Sequence, residues 1–339
     1  MGIDLTTHYL GLTLKNPIVA SASPLASTIA GIRQLAASGA GAIVLPSLFE
    51  EQIRQELAAS EQLIGVGADS HFEAGSYFPP SVAASDVPRR YLDLVAEASK
   101  AVEVPVIASL NGTTVSGWVD YAAQIEAAGA AAIELNVYRI ATSASATSAL
   151  VESDCLGLVM AVRASVRIPI AVKLHPYYSA FGALARQLDA AGADGIVLFN
   201  RLYAQDIDLV RLGWVKDVAL SHPSETRLGL LWLSHLFGRL SHASLAAGTG
   251  VETSDDVIKY LLAGADVVMT TSSLLRNGPG HISALLSGVE NWIKLRDFKE
   301  VTEIRGLMRD RTPESDTERR ERGGYIRSLT TYRGPYVTG

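Results

Sequence analysis

A (β/α)8 barrel is the fold class this sequence predicts, and three observations predict it. Four times a small-residue helix end passes through Gly-Ala into an apolar run: Gly39–Leu45, Gly129–Leu135, Gly192–Leu198 and Gly264–Met269. Twice more a proline follows a helix end, Val104-Pro105 before Val106–Leu110 and Ile168-Pro169 before Ile170–Leu174. Proline suits a strand's first residue, where a missing N–H costs little. With Pro17–Ser21 and Ser244–Gly248, eight short apolar runs lie between residues 17 and 271, each pair separated by enough chain for a helix. Eight parallel strands in about 250 residues is the arithmetic of a closed barrel. The competing open doubly wound sheet carries a glycine-rich phosphate loop after its first strand, and no GxGxxG follows Pro17–Ser21.

Along the chain, residues 5 to 14 alternate around Gly11 and read as a hairpin that plugs the barrel's N-terminal end. The barrel proper spans about 17–290. Its first long connection, Glu50–Tyr91, mixes a helix-like stretch with the aromatic, proline-containing piece Phe72–Pro80. Its second, Arg201–His242, carries a helix-like Leu/Trp/Phe pattern over Leu228–Leu240. Long loops at the C-terminal ends of barrel strands serve the site. A C-terminal helical extension occupies about 291–339, with Arg305–Arg322 dense in both signs and Tyr325–Gly339 placed to dock on its own barrel or on a second subunit. No linker divides the 339 residues, so one domain is expected.

Hydrophobic residues at 48% and charged residues at 19% suit a large core rather than disorder. A net charge of −6 argues against a nucleic-acid partner, which clustered Lys and Arg would have to grip. The single cysteine, Cys155, excludes an internal disulfide and a cysteine-based zinc or iron–sulfur site within this chain, and no metal site is expected. The N-terminus lacks a signal-peptide pattern, and no apolar run is long enough to span a membrane, so a cytoplasmic protein without a membrane partner is expected.

Side chains alternate across a strand, so parity separates the barrel axis from the helix layer. On the third strand Ile107, Ser109 and Asn111 share the inward face; on the fourth Ala132, Glu134 and Asn136; on the fifth Ala171, Lys173 and His175. Three successive strands thus aim polar groups inward at the rim where barrel enzymes keep their chemistry. A lone inward Ser109 serves equally to cap a layer. Lysine differs, because its ammonium is almost never buried without a partner, and Glu134 on the next strand supplies one. Pro176 follows His175, which leaves that ring able to point into solvent above the barrel. The loops after the last two strands read Gly248-Thr249-Gly250-Val251 and Thr270-Thr271-Ser272-Ser273. Glycine permits close backbone approach and the hydroxyls can donate to phosphate oxygens. Thr253, followed by Ser254, Asp255 and Asp256, is also a sound N-cap for the next helix, which accounts for part of that polarity.

The segments LGLTLKNPIVASAS, VPVIASLNG, AAIELN, IPIAVKL, GADGIVLFN and GTGVETSDDVIKYLLAGADVVM, in that order, resemble the dihydroorotate dehydrogenases, in particular the soluble class 1 type, from about Leu5 to Leu275. The resemblance implies an FMN-binding barrel that oxidises dihydroorotate, or a related CH–CH substrate, to orotate in pyrimidine synthesis. It implies that Lys173 contacts the flavin near N1 and the C2 carbonyl, where negative charge gathers on reduction. Asn136 would bond flavin or substrate, Asn200 would bind substrate, Asn111 would face the flavin, and Ser21 and Ala22 would line it. Thr249, Gly250, Thr271 and Ser272 would hold the phosphate. A homodimer and an electron-transfer partner are implied with them.

The chain also departs from the family. After ELN the family supplies a Ser or Cys base, whereas this chain reads Val137-Tyr138-Arg139-Ile140. Tyr138 is the replacement acid/base candidate, with Arg139 as the cation that a tyrosine of pKa near 10 would need. The second strand's flavin- and substrate-holding lysine gives way to Pro46 before Ser47, leaving Ser47 as a substrate-binding candidate. The family's Ala-Ser-Gly turn is here Ser21-Ala22-Ser23, and the glycine-rich sixth loop is absent from Ser221–Gly229. Two alternatives stay open: a barrel that binds flavin with another substrate or no catalysis, and a flavin-free lyase in which Lys173 forms a Schiff base.

Overall fold

The computed structural model describes residues 2–55, 86–112, 114–201, 205–215 and 219–333. Its frame is a closed, all-parallel barrel of eight strands: β3 (Ile18–Ala20), β4 (Ala42–Phe49), β5 (Val106–Asn111), β6 (Ala132–Asn136), β7 (Ile170–Leu174), β8 (Gly195–Leu198), β11 (Ser244–Ala247) and β12 (Val267–Thr270). These are the eight apolar runs of the sequence, closed by the pairing of β12 with β3. Helices over Ile29–Ala37, Asp86–Ala101, Val115–Ala127, Ser148–Ser165, Phe181–Ala190, Thr226–Leu236, Ser254–Ala263 and His281–Leu295 surround it. The Phe72–Pro80 piece lies outside the described residues.

Alternation sorts the core into two clusters. Ile43, Val106, Ile133, Val172, Ile196 and Val268 face the helices, while Val19, Val44, Ile107, Ala132, Ala171 and Val197 face the axis. The inward set is joined by Tyr9, Leu10 and Leu14 from the antiparallel hairpin β1 (Thr7–Tyr9) and β2 (Leu12–Leu14). Leu10 and Gly11 both take positive φ, 55° and 71°, as a two-residue hairpin turn requires. The hairpin stoppers the N-terminal end and packs closely on Gly195, where a Cβ would stand 2.5 Å from Leu10 Cδ2.

One irregularity aims a site residue. Val44 pairs Ile107 and Ser47 pairs Ser109, so β4 carries an extra residue between them. Pro46 has no N–H to give a ladder, and a bulge accommodates it. The inward face of β4, set by Ala42 and Val44, thereby passes to Ser47, whose Oγ lies 2.7 Å from Ser109 Oγ. Tyr91 repairs the interrupted strand: its hydroxyl accepts from Ser109 N–H at 2.8 Å and donates to Ser109 O at 2.9 Å.

The second long connection contains a short hairpin that the sequence pattern did not reveal, β9 (Asp206–Asp208) with β10 (Gly213–Val215). The charged C-terminal stretch forms a surface helix over Thr317–Thr330 with no buried residue. Among the described residues no helix is long and apolar enough to cross a membrane.

Candidate active site at the C-terminal mouth of the barrel

Lys173 rises from the inward face of β7 beside Asn136 of β6, its register partner. Its Nζ lies 3.2 Å from Glu134 Oε1 and donates to Ser21 Oγ at 3.1 Å. The Glu134 side chain is 1% exposed and that of Lys173 12%, so the ammonium alone reaches the mouth. Glu134 and Ser21 together hold the amine in place.

That amine opens onto a cavity of about 320 Å³ lined by Ser21, Ala22, Lys173, Asn200 and the loops Gly248–Val251 and Thr270–Ser272. Nine of its lining residues come from the two loops and the β3 end, so the cavity runs from the lysine to the hydroxyl-bearing turns. Thr249 and Gly250 take φ of 75° and 73°. Tyr260, from the helix Ser254–Ala263, clamps the first loop by bonding Gly248 O at 3.1 Å and Thr249 O at 2.8 Å. Ser272 Oγ accepts from Ser221 N–H and Ser221 Oγ–H, at 3.0 and 2.9 Å, which leaves its own proton to donate. Thr249 Oγ1 donates to Phe199 O and Thr271 Oγ1 lies 3.5 Å from Ala22 O.

Of the residues singled out from sequence, Ser21, Ala22, Lys173, Asn200, Thr249, Gly250, Thr271 and Ser272 line this one cavity. Asn136 joins them through Asn200, whose Nδ2 donates to Asn136 Oδ1 at 2.7 Å. Asn111, 8% exposed, ends β5 opposite Phe49, and Ser47 bonds Ser109; neither lines the cavity. Tyr138 lines a neighbouring cavity with Trp118, Cys155 and Tyr178. The Arg139 guanidinium pairs with Asp154 at 2.5 Å. His175 does not point into solvent. It is 5% exposed, stacked on Tyr178 with ring centroids 4.5 Å apart, and its Nδ1 accepts from Tyr177 N–H. Burial lowers its pKa, so the ring packs as a neutral group.

Sequence reasoning missed Phe199, Ser221 and Met269, which also line the cavity. Ser221 had a local signal, since it stands before the His222-Pro223 helix start. Phe199 and Met269 read as ordinary strand-end apolar residues.

A sequence model of the family described as dihydroorotate dehydrogenase matches residues 80–293. The NAD(+)-type dihydroorotate dehydrogenase B catalytic subunit of Methanocella arvoryzae is 28% identical, over 90% of this chain and 98% of the relative. The same-named subunit of Methanothermobacter thermautotrophicus is 26% identical, over 90% and 99%. A putative fumarate-type dihydroorotate dehydrogenase A of Aeropyrum pernix is 27% identical, over 63% and 70%. With more than half of its residues matched by the family's model, the chain belongs to the dihydroorotate dehydrogenase family.

Proposed function

We propose that this protein is an FMN-dependent oxidoreductase that oxidises dihydroorotate, or a related CH–CH donor, to orotate in cytoplasmic pyrimidine synthesis. The observation that carries the reading is the single cavity joining the Lys173 ammonium to the Thr249-Gly250 and Thr271-Ser272 turns. The residues present fit a flavin mononucleotide. A Cβ on Gly250 would come within 2.9 Å of His222 O and Thr226 Cγ2, so the chain's own packing demands glycine at this turn. The Ser272 hydroxyl has a proton to give a phosphate oxygen.

Bound FMN would supply the hydride-accepting centre. Lys173 would hold a positive charge against the flavin's N1 and C2 carbonyl edge, and Asn200 and Asn136 would orient the substrate by hydrogen bonds. The Asn200–Asn136 bond fixes the two amides relative to each other before anything binds. Val137–Ile140, which directly follow Asn136, include no Ser or Cys, and Tyr138 opens on the neighbouring cavity, so the proton acceptor is the point at which a related substrate would differ from dihydroorotate. A Schiff base at Lys173 is disfavoured, because an ammonium paired with Glu134 has no lone pair for attack. The reading includes a homodimer and a separate electron-transfer partner; that two relatives are named as catalytic subunits supports the latter.

The test is spectroscopic. The purified chain should carry or take up FMN, and anaerobic dihydroorotate should bleach it. A chain that takes up no FMN overturns the cofactor assignment. Flavin bleached by dithionite but untouched by dihydroorotate overturns the substrate while keeping the cofactor.

A further inference from the structure

We propose that Glu134 is a positioning residue that sets the flavin's reduction potential through Lys173, holding it below the value that the lysine alone would give. The inference rests on the cofactor reading above and adds a role for a group which that reading leaves idle. Glu134 is fully buried on the inward face of β6, and its residue does not line the cavity. One carboxylate oxygen, Oε1, meets Lys173 Nζ at 3.2 Å; the other, Oε2, has no hydrogen-bond partner. Below it in the barrel interior the Tyr9 hydroxyl is also without a partner. Burial first, and the Glu134 charge second, push that hydroxyl above its ordinary range, so the carboxylate is felt through the interior.

A half-satisfied buried carboxylate is costly. It is not the lysine's only anchor, since Ser21 Oγ also accepts from Nζ at 3.1 Å. What the carboxylate uniquely does is cancel charge. Lys173 alone presents one unit of positive charge to whatever occupies the cavity, whereas the Lys173–Glu134 pair is neutral and its field falls off as that of a dipole. Negative charge arriving on a flavin beside this pair is therefore stabilised less than beside a solitary lysine. Glu134 touches neither flavin nor substrate. It acts by trimming the charge of the residue that does.

The experiment compares the FMN-loaded wild-type protein with Glu134→Gln, which keeps the shape and removes the charge. Potentials are measured anaerobically against reference dyes. The ratio of reduced to oxidised flavin at fixed potential should rise at least about tenfold, an upward shift of about 30 mV for a two-electron couple. A purely structural role for Glu134 would lower flavin retention or the melting temperature and leave the potential in place. Equal potentials in two flavin-loaded proteins overturn the inference and leave the cofactor reading standing. A wild-type chain that takes up no FMN overturns both. Should Glu134→Gln fail to fold, Glu134→Asp draws the charge back by one methylene and should raise the potential by a smaller amount; an unchanged or lowered potential there overturns the proposal.

Discussion

At Gly250 the backbone turns through φ 73°, and the residue before it, Thr249, holds φ 75° despite its branched side chain. Two successive left-handed residues cost of order 1–3 kcal/mol for each non-glycine, and the loop persists because Tyr260 ties down its carbonyls. Gly250→Ala adds a methyl into the backbone of His222 and Thr226, at 2.9 and 3.0 Å, where nothing flexible can yield. The variant should lose about 1–3 kcal/mol of stability and bind FMN at least tenfold more weakly, read from melting curves and flavin fluorescence titration. Unchanged FMN affinity would separate this turn from the phosphate. At this scale strand parity made Lys173, Glu134, Asn136 and Ser109 legible in the sequence. Ser47 could not be placed by parity, because the bulge at Pro46 shifts the inward face by one residue. Nor could Tyr91 and Tyr260 be read as clamps, since each lies in a helix and bonds a backbone that the sequence does not place beside it.

The helix Ser254–Ala263 shows how an element is fixed at its start so that its far side can serve the site. Asp256 accepts from Thr253 N–H and Thr253 Oγ, both at 3.0 Å, and from Glu252 N–H at 3.2 Å. Burial alone would raise its pKa, but the hydrogen bonds from Thr253 and Glu252, with Lys259, outweigh it and the value falls below the ordinary 3.8. A folded-state pKa below the unfolded one means stability that is complete above pH 3.8 and is lost as pH falls through the lower, folded value. Asp256→Asn should therefore cost about 1 kcal/mol at neutral pH, with the gap to wild type narrowing only as acid protonates the wild-type carboxylate. Urea unfolding across that range checks it, and a gap that stays constant into strong acid would assign the loss to shape rather than charge. This cap was readable from Thr253-Ser254-Asp255-Asp256, as the strands were from their Gly-Ala joints. The β9–β10 hairpin was not, because Ile207, Leu209, Val210, Leu212 and Trp214 are all exposed and show none of the alternation that burial imposes on a strand.

Across the whole molecule the barrel and the tail obey different rules. The barrel was legible because each of its strands must bury one face on helices and the other on the axis, and that demand writes itself into every apolar run from Ile18 to Thr270. The tail carries no such demand. Its helix, Thr317–Thr330, buries no residue and has Gly323 and Gly324 at its middle, each costing about 1 kcal/mol of helix propensity. It meets the barrel through ion pairs: Arg320 with Asp310, Glu321 with His235 at 3.5 Å, and just before the helix Glu314 with Arg186 at 3.2 Å. Asp310 is itself buried and His235 largely so, but Arg320, Glu321, Glu314 and Arg186 are open to solvent, and pairs screened on that side contribute about 0–1 kcal/mol each. Asp310 keeps partners without the tail, since His235 Nδ1 lies 2.9 Å away and Thr312 N–H donates at 2.9 Å. Truncation after Asp316 should therefore cost no more than about 1–2 kcal/mol and lower Tm by about 2–4 °C, with FMN uptake and a single cooperative transition retained. A truncated chain that melts in two steps or loses its flavin would show instead that the barrel depends on a segment packed entirely on its outside, and the division between a self-sufficient barrel and an appended helix would fall.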